Sequence, residues 1–406
     1  MQIVRKLDYI TEFFLWLLAY GLTFSNAMTE ICIGFIVLLF FIKRIILRDA
    51  RVPQTPLNLF IYAFFVIVAI SWLRSSYFAE SLRGLLRVPK YAVLFFAVFE
   101  FLAQDERRMT RFFWVIIGVS CFTFLNALFQ HFYGYDILRH RSLIRLDYQR
   151  RLMASFVHPN DFGAYIIFVL PLTLTLLCPR ISKRKRLLLA VILLLGLYCL
   201  VRTVSRGAWL GFVIGVTVFF FYYKRRMAII VPLLVIVVIM VAPHGLERLQ
   251  SLFAAEHNTV WERIQLWKGT WNMIEEHPFL GFGVNTYSKY FPQYKPPDYP
   301  DVRYAHNSYL QLWSEIGIFG LLAFLGIIWR VLYPALRVLR GKLHPQRNLY
   351  ILIALVAGCI GFLIQAGLDT TLHSLVHVTQ FWIISAFIVA LTHSKGISLL
   401  CQEDTQ

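Results

Sequence analysis

Charge is what this sequence has least of. Only 15% of its 406 residues are charged and only 22 are acidic, where soluble domains carry about a quarter charged. Beside 58% hydrophobic residues and 36 phenylalanines, that scarcity excludes a water-soluble globule, because such a chain cannot furnish a polar surface. The cysteines (Cys32, Cys121, Cys178, Cys199, Cys359 and Cys401) are scattered. None has zinc-ligand or redox spacing, so neither a metal site nor a disulfide framework is indicated. Internal repeats and inverted pairs of broken helices, a mark of many secondary transporters, are missing as well. No small-residue cleavage site follows the basic start MQIVRKLDYI, which therefore reads as a retained first helix rather than a signal peptide.

What the chain does have is apolar runs of roughly 20 residues, long enough to cross the hydrocarbon of a bilayer. Candidate spans fall near 9–25, 27–46, 57–73, 88–104, 111–130, 162–178, 187–202, 206–223, 227–243, 307–329, 348–367 and 375–393. The expected fold is all-α: one polytopic integral membrane domain over 1–406 with about twelve transmembrane helices. Two connections are long, 131–161 and 244–306, the larger lying between spans nine and ten. A further surface helix is expected at 74–90, where Glu80, Arg83 and Arg87 share one face.

A net charge of +18 would point to nucleic acid in a soluble protein. Here the basic residues bunch on alternate connections: Lys43/Arg44/Arg48/Arg51, Arg107/Arg108/Arg111, Arg180 to Arg186, Lys224/Arg225/Arg226, and Arg330 to Arg347. Short dense clusters on one side fit the positive-inside rule and put both termini in the cytoplasm. The outer connections hold many arginines too, among them Arg139, Arg141, Arg151, Arg202, Arg206, Arg263 and Arg303. Each alone reads as a lipid-headgroup contact. Together, on the side where topology disfavours them, they argue for an anionic ligand, since arginine recognises phosphate in a forked geometry.

The larger loop has structure of its own. WERIQLWKGTWNMIEEHP spaces Ile264, Trp267, Trp271 and Ile274 as one stripe of an amphipathic helix, with Arg263 and Lys268 off it. His306 closes the loop where the tenth span begins, and Asn307 or Ser308 can cap that helix. Asn307, Gln311 and Glu315 then form a polar stripe in an apolar span, a placement that is expensive and faces a cavity or a partner. Glu315 either orients His306 or an arginine, or makes a structural ion pair. A histidine beside arginines suits a general base acting near a phosphate leaving group; the plainer reading is a polar end-cap. Arg202 and Arg206 flank the boundary of spans seven and eight, His158 precedes the sixth span, and Asp369, His373 and His377 recur four apart. No metal motif fits those three.

The segments MASFVHPNDFGAY, SRGAWLGF, RIQLWKGTWNMIEEHPFLGFGVNTY and AHNSYLQLWSEIGIFGLLAF, in that order, resemble the O-antigen ligase / O-antigen polymerase superfamily of bacterial envelope glycan transferases. The resemblance implies a multi-pass protein of the bacterial inner membrane whose active face is periplasmic. It implies an inverting glycosyltransferase without metal or other cofactor. That enzyme moves a glycan from undecaprenyl pyrophosphate to a hydroxyl of lipid A–core oligosaccharide or another glycan, with membrane lipids but no nucleic acid as partners. On this sequence Arg206 and Arg263 would hold the pyrophosphate and His306 would activate the acceptor, with Arg303, Glu315, Arg202, His158 and Asn307 in support. The alternatives are a polymerase joining lipid-linked repeat units, an anion or lipid-linked solute transporter, and a scaffold without catalysis. Chain length and loop size favour ligase over polymerase, and the absence of a further domain after the last span disfavours the oligosaccharyltransferase branch.

Overall fold

A computed structural model describes residues 2–146, 149–179, 181–229, 259–297, 299–341 and 347–393. The expected ninth span from residue 230 onward, and the part of the larger loop before residue 259, lie outside the described residues. The helices are α1 (Gln2–Phe24), α2 (Asn26–Leu47), α3 (Asn58–Leu73), α4 (Phe78–Ala103), α5 (Glu106–Tyr133), α6 (Pro159–Thr173), α7 (Lys183–Arg202) and α8 (Arg206–Tyr223). They continue with α9 (Thr259–Glu276), the single turn α10 (Tyr287–Tyr290), α11 (Ser308–Arg340), α12 (Arg347–Ala366) and α13 (Leu375–His393). Six of these are long and apolar enough to cross a membrane, the helices of 106–133, 159–177, 206–223, 308–340, 348–366 and 375–393, and α3 is a shorter apolar one.

The protein is an integral membrane protein, and as expected its fold is all-helical. Among the described residues one short antiparallel hairpin, β1 (Ile144–Leu146) with β2 (Gln149–Arg151), joins two of the helices. It sits in the connection between α5 and α6, outside the apolar runs, where the chain must satisfy its backbone polar groups without a helix.

Local chemistry sets the ends. Ser25 caps α2 by accepting from the Met28 N–H, Asp105 caps α5 from Arg107, and Gly134 closes α5 in the left-handed region at φ 85°. The expected surface helix at 74–90 and the fourth span are one continuous α4, which runs through Pro89. A membrane helix tolerates an interior proline when neighbouring groups satisfy the freed carbonyl.

Packing sets the positions. Gly211 and Gly215 of α8 lie against the backbone of Gly361 and Ala357 of α12, so close that a Cβ would collide with a carbonyl oxygen. Small residues of this kind let membrane helices meet backbone to backbone. The contact fixes the start of α8 beside the end of α12 and beside α6.

At the opposite end of the bundle part-buried charges are held in pairs. Lys43 bonds Asp8 at 2.8 Å and Glu100 at 2.9 Å, Arg44 also pairs with Glu100, Arg108 reaches Asp8 at 3.0 Å, and Arg111 grips Glu12 at 2.6 Å. Four residues of the basic clusters thus do more than signal topology: they tie α1, α2, α4 and α5 together.

Candidate active site

The loop that carries the site is held by a break in α11. Gly317 takes φ 70°, ψ −179°, interrupting the helix, and frees carbonyls that would otherwise be spent inside it. The segment Pro278–Gly283 pairs with the gap: Phe282 N–H donates to Ser314 O (3.0 Å), Gly283 N–H to Glu315 O (2.8 Å), and Ile318 N–H to Pro278 O (2.8 Å). Ser71 of α3 donates to the same Glu315 carbonyl at 2.9 Å. A Cβ on Gly281 or Gly317 would overlap the facing backbone. This explains both glycine-bearing motifs, HPFLGFG and SEIGIFG.

The polar stripe of α11 serves this attachment. Asn307 caps the helix, accepting from Tyr309 and Leu310 N–H. Gln311 Oε1 accepts from Ala305 N–H at 3.0 Å, fixing the residue before His306. The Glu315 carboxylate accepts from the N–H groups of Asn285 (2.8 Å) and Tyr287 (3.3 Å) and from Gln311 Nε2 (3.2 Å), with His373 at 3.7 Å. Glu315 therefore anchors the loop and touches His306 only through Gln311 and Ala305.

The partner of His306 is Asp369, in the turn between α12 and α13. Their Nδ1 and Oδ1 are 2.9 Å apart. Asp369 Oδ2 accepts from Asn160 Nδ2 at 2.7 Å and faces Arg263 Nη2 at 3.8 Å, and Oδ1 also accepts from Thr370 N–H. Ser308 Oγ donates to the Asp369 carbonyl. Burial pushes this carboxyl upward, but the hydrogen bond and charge of His306, then Arg263, then the Thr370 N–H outweigh it and hold it at about 2. An ionised carboxylate only accepts, so Nδ1 carries the proton of this bond, and in the neutral imidazole the lone pair falls on Nε2. With 45% of its side chain exposed against 16% for Asp369, His306 is the member of the pair open to a substrate.

Three arginines surround the pair. Arg263 is on the inward face of α9, in line with buried Leu266 and Thr270 at i+3 and i+7. The true stripe is offset by one residue from the one read in sequence: Ile274 is buried, while Ile264 and Trp271 are exposed. Arg206 is the first residue of α8. Arg151, which the sequence reading did not single out for the site, is half-buried; its Nε donates to Thr203 O (2.7 Å) and its Nη2 to Asn160 Oδ1 (3.0 Å). Burial lowers the Arg151 pKa, Arg263 lowers it further, Asp369 opposes that, and Arg206 lowers it again. The three guanidiniums thus share one field around one acid.

Residues at the N-termini of α6, α8 and α11 (Asn160, Arg206, Ser308) also gather here, and a helix N-terminus favours negative charge. Backbone strain reaches the same place: His306 takes φ 47°, and Val204, β-branched and next to the Thr203 carbonyl that Arg151 bonds, takes φ 51°. Such conformations persist only where the surroundings enforce them, and they cluster at functional sites.

The remaining candidates lie apart. Arg303 is on an exposed bend and makes no hydrogen bond or ion pair among the described residues. His158 occupies the N-cap position of α6 without a side-chain capping bond. Arg202 has a buried Nε without a hydrogen-bond partner. Asp369, His373 and His377 each meet a different group: His306, Glu315 and Asp161.

This arrangement fits what the chain is similar to. Residues 164–325 match the O-antigen ligase family. The matched stretch holds Arg206, Arg263, His306 and Glu315, whereas Arg151 and Asp369 lie outside it. Over 354 residues the chain is 20% identical to the teichuronic acid biosynthesis protein TuaE of Bacillus subtilis, covering 82% of this chain and 69% of that protein. Over 314 residues it is 24% identical to the O-antigen ligase of Salmonella typhimurium, covering 71% of each. The chain is thus similar to membrane proteins of cell-surface polysaccharide biosynthesis.

Proposed function

We propose that this protein is an inverting, metal-independent glycosyltransferase. It moves a glycan from undecaprenyl pyrophosphate to a hydroxyl of lipid A–core oligosaccharide, on the periplasmic face of a bacterial inner membrane. The observation that carries the reading is a histidine–aspartate pair set among three arginines. Two of its arginines and its histidine lie in the part of the chain that resembles ligases. The basic clusters at the opposite end of the bundle support cytoplasmic termini and an active end facing out.

The chemistry follows from the side chains. The acceptor O–H gives its proton to His306 Nε2 as its oxygen attacks the anomeric carbon. The bond from that carbon to the pyrophosphate oxygen breaks, and the leaving group takes the electron pair. A single displacement inverts the carbon. Arg151, Arg206 and Arg263 neutralise the charge that grows on the pyrophosphate, a preorganised stabilisation that needs no reorganisation during reaction. Asp369 fixes the tautomer and orientation of His306, and its charge offsets that of the imidazolium formed.

The test is glycan transfer by the full chain in lipid nanodiscs, given a lipid-linked glycan and purified rough-type acceptor. His306→Ala and Arg263→Ala are expected to insert normally and to lose transfer. Full transfer by both would sink the reading. Substrate-dependent flux through liposomes without transfer would favour the transporter alternative.

A further inference from the structure

α9 has a second apolar face that its own packing leaves open. Ile264, Trp267, Trp271 and Leu310, with Lys268 and Asn272 at the rim, wall a shallow groove of about 310 Å³. Ile264 and Trp271 are 43% and 44% exposed, although an amphipathic helix buries its large apolar residues when it can.

The groove has two neighbours. One is the active site: Trp267 Nε1 donates to Ala305 O beside His306 (3.1 Å), Arg263 lies one turn before Trp267, and Leu310 one turn after His306. The other is the apolar outside of α11. Trp271 meets Trp313 edge-on at 5.5 Å, Phe279 stacks on Phe319 at 6.0 Å, and Phe319 and Leu322 continue the exposed apolar surface down a membrane-crossing helix. An apolar track thus leads along α11, past Phe279 and Trp313, to the groove, with Arg263 on the adjoining face of α9.

We infer that the groove seats the first isoprene units of the donor's polyprenyl chain, with Lys268 at its rim and the pyrophosphate beyond it against Arg263 on the adjoining face of α9. The inference rests on the glycosyltransferase reading and adds the direction from which the donor enters. Burial of an extended hydrocarbon needs what this surface offers: aliphatic and ring faces, continuity with lipid, and a cation where the chain ends in phosphate. A sugar platform would offer ring faces as well, but its hydrogen-bonding groups would flank them rather than stand only at the rim.

The experiment compares inorganic pyrophosphate with farnesyl pyrophosphate, binding each to the full chain in nanodiscs. Wild type is expected to hold farnesyl pyrophosphate about tenfold or more tighter than pyrophosphate. In an Ile264→Ser/Trp271→Ser double variant that advantage falls to within about twofold. Pyrophosphate affinity stays unchanged, which also shows that the variant is folded. Arg263→Ala weakens both ligands alike. A double variant that keeps the farnesyl advantage overturns the groove assignment while leaving the glycosyltransferase reading intact. So does one that keeps it and instead loses affinity for a free oligosaccharide. Wild type that binds neither pyrophosphate overturns the donor reading itself, and the groove with it.

Discussion

The two ends of this bundle handle charge in opposite ways. At one end Asp8, Glu12 and Glu100 meet Lys43, Arg44, Arg108 and Arg111, and each of these carboxylates bonds at least one of the cations. At the other, Asp369 faces His306 and Arg263, in a field that also holds Arg151 and Arg206. Buried charges are costly unless compensated. The first cluster is compensated within the fold and works as a clamp on four helices. The second gathers three arginines and three helix N-termini about Asp369, and on the proposed reading it is the end that takes the anionic donor. The pairing of charges, more than their number, separates the two ends.

That contrast can be broken from either side. The largest effect is expected at the pair itself: His306→Ala should slow glycan transfer by about 10²–10⁴-fold while costing no more than the roughly 2 kcal/mol that the depressed Asp369 carboxyl contributes. An equal loss of stability would make the histidine structural. Next comes the clamp. Asp8→Asn leaves Lys43 and Arg108 without their shared carboxylate and should cost about 3–5 kcal/mol in unfolding experiments, with transfer per folded molecule retained. A variant as stable as wild type would refute the clamp. Arg206→Ala should lower transfer by about 10²–10³-fold, mostly in kcat. Transfer by this variant at the wild-type rate would remove Arg206 from the site.

The smallest effect concerns pH. A carboxylate held at about 2 in the folded state is more stable folded than unfolded above its ordinary pKa near 4. That contribution disappears as pH falls from about 4 through 2 and is worth roughly 2 kcal/mol. Acid unfolding of wild type should lose this increment in that window and Asp369→Asn should not. Parallel curves for the two would contradict the assignment.

Much of this contrast was legible in the sequence, and the parts that were not share a cause. Spans announce themselves through apolar length, and His306 through its place at a helix start beside a cap. The partner Asp369 stands 63 residues away, and pairing over such a distance is tertiary. Its acid was noticed only for its spacing from His373 and His377, which the fold sends to other partners. Arg263 was expected off the amphipathic stripe and is on the buried face, because Leu266, Thr270 and Met273 anchor α9 more deeply than its tryptophans do. The first helix begins at Gln2 rather than near residue 9 because Asp8 and Glu12 find cations on neighbouring helices. Glu315, read as either an orienting group or a structural one, proves to hold the backbone of a loop 30 residues upstream, a role that a break at Gly317 creates and that no helical periodicity reveals.

On the proposed mechanism Asp369 makes His306 a base while the arginines hold the leaving group independently. Single-turnover transfer by Asp369→Asn, with pyrophosphate affinity measured on the same preparation, tests it most directly. The expected rate is about 10²–10⁴-fold below wild type, with pyrophosphate bound as tightly or more tightly, since Arg263 loses its competing carboxylate. Transfer at close to the wild-type rate, or a loss that tracks weakened pyrophosphate binding alone, would contradict it.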